Sequence, residues 1–197
     1  MKLSQRKRLD ILNAAETLFF QQGVEHTSMD QVASLAGASK RTVYNHFENK
    51  DVLFQAILVF MFEKVRQEQA VVFDAALPIA EQLTRIAEQE VALLTSEEFL
   101  KVAKVAFMQM LQQPDLAKSL ASNNMGCMQD LVAFLEAGVQ AQVLTVDDVE
   151  FAAKQFVYQL KSLIFYPLLY GFERQEGDSD NKVISETVKM FLARYGR

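Results

Sequence analysis

The stretch that decides the fold reads Thr27-Ser28-Met29-Asp30-Gln31-Val32-Ala33-Ser34-Leu35-Ala36-Gly37-Ala38-Ser39-Lys40-Arg41-Thr42-Val43-Tyr44-Asn45-His46-Phe47. Ser28 followed three residues later by Gln31 is a capping box, in which side chains satisfy the first unpaired amides of a helix. Met29, Val32, Ala33 and Ala36 repeat at helical spacing and predict one buried stripe. Gly37 supplies the stop, and Ser39 opens another helix only two residues later. In that helix Val43 and Phe47, one turn apart, face inward. Lys40, Arg41, Thr42, Tyr44, Asn45 and His46 are left for the outer face. Two short helices joined by a tight glycine turn, the second polar and basic, make a helix-turn-helix. Its second helix has to fit the major groove and present hydrogen-bonding side chains to base edges. Phosphate contacts then fix its register.

Working outward, a helix is predicted from Ser4 to Gln22, with Ile11, Leu12, Ala15, Leu18 and Phe19 on one face and Gly23 as its stop. Downstream, Asn49 caps a fourth helix that begins with Lys50 and Asp51. Leu53, Phe54, Ile57, Leu58, Met61 and Val65 keep its period, and it is expected to run to about Ala76, a span of roughly 40 Å. Pro78 opens a fifth helix to about Leu94, Ser96 a sixth to about Gln113, and Pro114-Asp115 a seventh to about Gln142. Asp147 or its neighbour caps an eighth that ends near Gly171, with a kink expected at Pro167. Gln175–Asn181 reads as a polar loop and Lys182–Tyr195 as a ninth helix. The expected class is all-α, with about nine helices. A head over residues 1–50 is joined by the long fourth helix to a helical body over 51–197.

Composition agrees. Half of the 197 residues are hydrophobic, while Gly (7) and Pro (3) are too scarce for a sandwich or barrel that turns every ten residues. A single cysteine, Cys127, excludes an internal disulfide and a multi-cysteine zinc site. Lys2, Arg6, Lys7 and Arg8 resemble the start of a signal peptide, but Asp10, Asn13 and Glu16 leave no clean apolar segment after them. The runs Leu53–Phe62 and Leu163–Phe172 are too short to span a bilayer, so no membrane is expected as partner and the expected location is cytoplasmic. Residues 1–50 hold seven Lys/Arg against five Asp/Glu, a surplus of two, which leaves −7 for the rest of a chain whose net charge is −5. A mildly basic head on an acidic body points to a polyanion met by the head alone.

The segment from Thr27 through Val52-Leu53-Phe54 resembles the head of the TetR/AcrR regulators, most specifically in Gly37 to Ser39, Val43-Tyr44, Phe47 and Lys50 to Leu53. The upstream spacing Ile11…Ala15…Leu18-Phe19…Gly23…Thr27-Ser28 matches as well. The resemblance covers about the first 60 residues. It implies phosphate contacts at Tyr44 and Lys50, and places Thr27 and Ser28 at positions that meet the DNA backbone. With Ser39, Lys40, Arg41, Thr42, Asn45 and His46 these form the expected DNA-facing set. The remainder is similar to the AefR-like regulator C-terminal domain in Pro114-Asp115-Leu116-Ala117, Val146-Asp147-Asp148 and Ala152-Ala153…Phe156. That likeness implies a homodimer, an effector cavity and repression of an operator relieved by ligand, with the fourth helix carrying the change to the heads.

Phe99, Phe107, Met110, Met125, Met128, Phe134, Phe156, Phe165 and Tyr166 are the candidate cavity residues. Such stripes also make ordinary core; a cavity with Met and Phe walls would take an apolar or aromatic small molecule. Phe151, Phe156, Leu160, Ile164, Val188, Phe191 and Leu192 form the candidate dimer face. His46 has no Cys nearby and His26 is distant in sequence, so no metal and no cofactor are expected. Arg6 to Arg8 read either as an unstructured tail or as an arm on phosphate. Cys127 has no basic neighbour in sequence to lower its pKa and reads as an inert thiol. Glu97-Glu98 and Asp147-Asp148 sit where helix dipoles favour acids, not as catalytic pairs. No phosphate loop, His-Glu-x-x-His or nucleophile–base pair marks an enzyme. The remaining alternative is a helical interaction module without DNA binding.

Overall fold

A computed structural model of the chain describes residues 3–65, 70–112, 128–173, 177 and 179–197, with side chains 62–65 outside that set. Among the described residues the architecture is all-α, in nine helical runs: α1 (Leu3–Gln22), α2 (Met29–Leu35), α3 (Lys40–His46), α4 (Lys50–Val65), α5 (Ile79–Thr95), α6 (Glu97–Gln112), α7 (Met128–Gln140), the composite α8 (Val149–Leu160), π-turn (Lys161–Phe165) and α9 (Tyr166–Tyr170), and α10 (Asp180–Tyr195). The expected caps are in place: Ser28, Ser39 and Asn49 hold the amides of Gln31, Thr42 and Val52. Asp148, not Asp147, caps α8. Ser179 caps α10, which starts two residues earlier than expected. Met125, Cys127 and the expected helix start at Pro114-Asp115 lie outside the described residues.

The chain divides into two compact units, 1–64 with 104–123 and 65–103 with 124–197. In the first unit, Leu53, Phe54, Ile57 and Leu58 of α4 are fully buried. The ring of Phe54 lies 5.8 Å from that of Phe19 on α1, so α4 completes the core of the head. Ile11, Ala15, Val32, Val43 and Phe47 supply the rest of that core.

The fourth helix does not reach Ala76, since residues 70–78 carry no helix. A buried glutamine holds the connection that follows. Gln82, on the first turn of α5, donates to the carbonyls of Asp74 (2.8 Å) and Leu77 (3.0 Å). It also accepts from the amide of Asp74 (2.9 Å). The Asp74 carboxylate accepts from the Ala76 amide (2.8 Å), an Asx turn. These bonds satisfy the backbone of a connection that a helix would otherwise satisfy itself.

The second unit is built on Leu83, Ala87, Leu131, Leu135, Ala153, Phe156, Leu160, Ile164, Val188 and Phe191. Along the eighth run the coil widens before Pro167: the amide of Tyr166 donates to the carbonyl of Lys161, five residues back. This extra residue rotates the following turn by about 100° relative to an uninterrupted α-helix. The exposed face carrying Phe151 and Tyr158 thus continues through Leu163 to Tyr170, a stripe about 30 Å long. The proline ends no helix; the π-turn ahead of it accommodates the ring. Gly171 then closes the run in the left-handed region, the amide of Phe172 donating to the Pro167 carbonyl (2.8 Å). The chain end is pinned by the Thr145 amide on the Tyr195 carbonyl (2.8 Å) and by the phenol of Tyr195 on Gln155.

One polar group in this core is unsatisfied. The hydroxyl of Thr187, on the buried face of α10 and 1% exposed, has no hydrogen-bond partner among the described residues. Burying a hydroxyl unpaired costs stability. Thr187→Val keeps the shape and removes the polar atom, so urea unfolding is expected to show a gain of about 1 kcal/mol. An equal loss would mean that the hydroxyl is satisfied in solution.

Candidate nucleic-acid interface

The turn between α2 and α3 is set by backbone chemistry. Gly37 has φ +55°, and Ala38 and Gly37 return their amides to the carbonyls of Ala33 (3.0 Å) and Ser34 (3.2 Å). This is a Schellman closure, which requires a left-handed residue just past the helix end. Two residues on, Ser39 Oγ accepts from the Thr42 amide (3.1 Å) and pairs with the Thr42 hydroxyl (2.8 Å). Seven residues of helix would not hold together alone. What fixes α3 is its inner edge, Val43 (0% exposed) and Phe47 (1%). The guanidinium of Arg8 lies over the Phe47 ring, 4.5 Å from its centroid.

With Val43 and Phe47 inward, helical geometry puts Arg41 and Asn45 on the opposite side, one turn apart; both are exposed. Tyr44, half exposed, and Lys40 flank them on one side, Thr42 and His46 on the other. His46 is half-buried, its ring 6.3 Å from that of Phe47. Ser28 and Ser39 are exposed, but their hydroxyls are already committed to caps. Among the described residues no group of three or more His, Cys, Asp or Glu is placed to hold a metal ion.

Three of the expected DNA-facing residues have partners within the head. Thr27 is 2% exposed. Its hydroxyl donates to the Gly23 carbonyl (2.8 Å) and its amide donates to the Val24 carbonyl (3.3 Å). It shapes the turn between α1 and α2, with both groups committed within the chain. Lys50 Nζ donates to the carbonyls of Val24 (2.8 Å) and Glu25 (3.3 Å), so it is positioned by that same turn. Its third proton remains for an acceptor outside. Lys40 is ion-paired with Asp30 on α2. The Asp30 hydrogen bond, and then its charge, hold the ammonium above its ordinary pKa.

Other supporting residues left no sequence signal. Gln22 Nε2 donates to the His26 carbonyl (3.0 Å), the Thr27 hydroxyl (3.2 Å) and Gln31 (3.3 Å), tying the end of α1 to the capping box of α2. Lys7 donates to the Gly37 carbonyl (3.3 Å). Lys7 and Arg8 are therefore neither an unstructured tail nor a free arm: they belong to α1 and brace the turn and α3.

The expected cavity residues separate. In the second unit, Phe99, Phe165 and Tyr166 form one group, with ring centroids 5.6 Å and 5.5 Å apart. Burial pushes the Tyr166 phenol above its ordinary pKa. Phe134 and Phe156 belong instead to the main core of that unit, against Phe73 (5.6 Å) and Phe191 (5.3 Å). Met128 packs half-buried on that core. Phe107 and Met110 are half-buried on the later part of α6, which falls in the first unit.

Most of the expected dimer face is buried within the chain. Phe156, Leu160, Ile164, Val188 and Phe191 are each 5% exposed or less, because they hold the chain's own helices together. Phe151 (55%) and the half-buried Leu192 remain accessible, joined by Tyr158, Leu163 and Met190.

A paired short-helix element with an outward polar face, on a head whose core is separate from that of a larger helical body, defines a helix-turn-helix DNA-binding regulator. Residues 11–57 match the family described as bacterial regulatory proteins, tetR family, and residues 81–197 match the AefR-like transcriptional repressor, C-terminal domain. The HTH-type transcriptional regulator YhgD of Bacillus subtilis (strain 168) is 26% identical over 194 residues, 96% of this chain and 95% of the relative. The crystal structure of a TetR family transcriptional regulator from Pseudomonas syringae pv. tomato str. DC3000 superposes with TM-score 0.75 at 30% identity, over 98% of this chain and 99% of that one. The Flavonoid-responsive Regulator FrrA superposes with TM-score 0.82 at 27% identity, over 98% of each chain. The chain belongs to the TetR family and is a DNA-binding transcriptional regulator.

Gly37 gives a test of the turn. A Cβ there would meet nothing within 4 Å, so Gly37→Ala carries only the left-handed backbone penalty, about 1 kcal/mol. Chemical denaturation should show that loss with the far-ultraviolet circular dichroism spectrum unchanged. A loss of helix content would mean that the turn, and not only its torsion, depends on glycine.

Proposed function

We propose that the protein is a homodimeric repressor of a near-palindromic operator, released by an apolar, aromatic small molecule, and that it acts by binding and not by catalysis. The observation that carries the DNA side is the outward face of α3. Arg41 and Asn45 stand opposite the buried Val43 and Phe47 edge. Arginine reads guanine O6 and N7 in the major groove, and asparagine reads adenine N6 and N7, each through two hydrogen bonds. Tyr44, Lys40 and Lys50 flank this face and serve the phosphates, with Ser28 beside them. Two copies about a two-fold axis present their α3 helices about one DNA turn apart or somewhat more.

The exposed apolar groups of α8 to α10 support the dimer. Phe151, Tyr158, Leu163 and Met190 are unusually large and bare for a surface without a partner. For the effector, the aromatic group Phe99, Phe165 and Tyr166 supplies flat apolar walls with one phenol as a polar handle. FrrA, whose name describes a flavonoid response, supports a planar aromatic ligand. Ligand can weaken operator binding by no more than its differential affinity for the two states of the protein. Among the described residues no helix is long and apolar enough to cross a membrane, in keeping with a cytoplasmic regulator.

The reading is tested on DNA selected from random duplexes by the wild-type dimer. Arg41→Ala and Asn45→Ala should each cost about 1–3 kcal/mol on the selected duplex and little on random sequence. Tyr44→Phe and Lys50→Met should weaken both, and Lys50→Met should flatten the log–log salt dependence by about one unit. Failure to select any sequence, with salt-insensitive binding to a protein instead, would leave an interaction module. For the assembly, Tyr158→Glu should give a monomer in sedimentation at micromolar concentration. A dimer unaffected by that change would place the interface elsewhere. Phe165→Ala should abolish release of operator by a flavonoid that releases the wild-type protein.

A further inference from the structure

Asp30 and Lys40 form a charge pair between the two helices of the reading element. Asp30 is the second residue of α2 and Lys40 the first of α3, ten positions apart across the Gly37 turn. Lys40 Nζ donates to Asp30 Oδ2, with both side chains more than half exposed (68% and 53%). A solvated surface pair of this kind contributes little to stability. What it does change is the charge that this edge of α3 offers to a polyanion.

We infer that Asp30 is a specificity-determining positioning residue: it neutralises Lys40 toward DNA in general and releases it only to an acceptor placed by a correctly docked site. This inference rests on the DNA reading above. The physical argument has two parts. Loose complexes with random DNA are held by the field of cations near phosphates, each neutralised phosphate adding to affinity and to salt sensitivity. An ammonium paired with a carboxylate adds almost nothing to that field. In the docked complex the contact is local. Lys40 has three donors, one of which Asp30 occupies. The other two meet a phosphate or a guanine edge at hydrogen-bond distance, where geometry decides. Asp30 also limits the places a long, flexible lysine can occupy, so less ordering remains to be done when DNA binds. The pair therefore lowers non-specific affinity more than specific affinity.

The test is a double-mutant cycle in the full-length protein, with Asp30→Asn, Lys40→Met and the double variant. The probes are a duplex selected from random sequence by the wild-type protein and a scrambled duplex of equal length and composition, titrated at several salt concentrations. Wild-type protein that prefers the selected duplex establishes the DNA reading on its own; wild-type protein that binds neither duplex removes that reading and this inference together. Given wild-type preference, Asp30→Asn is expected to tighten binding to the scrambled duplex by roughly threefold to tenfold and to steepen its salt slope by about 0.9. Binding to the selected duplex should change by less than twofold. In the Lys40→Met background the substitution should change neither. A gain that persists without Lys40 would show that Asp30 merely repels phosphate, and equal weakening on both duplexes with a lowered melting temperature would show a helix-capping role; either overturns the inference.

Discussion

The burial of Val43 and Phe47 is the constraint on which the DNA-reading half of this molecule depends. A helix of seven residues has too few internal hydrogen bonds to offset the ordering of its first turn. It exists because one edge is sealed in the core of the head. That sealing also decides rotation about the helix axis: once two positions four apart are fixed inward, the direction of every other side chain is set. Arg41 and Asn45 project outward because no other rotation buries Val43 and Phe47. The remaining features of the head serve this placement. Arg8 covers the outer rim of Phe47, Lys7 holds the Gly37 carbonyl, and Lys50 and Gln22 secure the turn between α1 and α2. Several cations of a DNA-binding head are thus partly employed as internal struts. This explains how a head with a surplus of only two positive charges can still present a defined reading face.

Much of this is legible in the sequence because it is written locally. Capping boxes, glycine stops and a three-to-four residue period are read within a single turn, and they locate α1 to α3, α5, α6 and α10 to within a residue or two. The same local rule fails for α4. Its apolar period runs on past Val65, yet no helix remains by residue 70, where Gln82 takes over the backbone groups of the following loop. A glutamine that satisfies a segment eight residues upstream leaves no periodic trace. Asp30 and Lys40, ten apart, are likewise partnered only by the fold.

The corrections at the interface share one cause. Thr27 is assigned to DNA by the position it shares with family members, and Phe156, Leu160, Ile164, Val188 and Phe191 are assigned to a partner by their apolarity. Sequence carries the chemistry of a side chain but not which side of a packed layer it occupies. For α8 and α10 every apolar residue at helical spacing is a candidate for the dimer face, although a helix in this position has two apolar faces. One face packs on its own chain, and the second carries Phe151, Tyr158 and Leu163. The π-turn adds to the difficulty, because it shifts the period by one residue within a single run. A constant 3.6-residue wheel drawn through Lys161–Phe165 assigns Tyr170 to the wrong side.

The two halves of the protein also differ in how far a family likeness constrains them. In the head, the likeness and the physics agree on Val43 and Phe47, because a short helix needs a sealed edge to exist, and they part at Thr27, which the likeness assigns to DNA and the fold buries. Val43 and Phe47 stand where the core requires them, which leaves Tyr44 outward. In the body, the family fixes the helical framework and leaves individual side chains free to vary. There Phe99, Phe165 and Tyr166 pack on one another, while Phe134 and Phe156 pack with Leu83 in the core. Residues that hold a core together cannot be exchanged without loss of packing. Specificity for DNA is thus carried by few residues under strong geometric constraint.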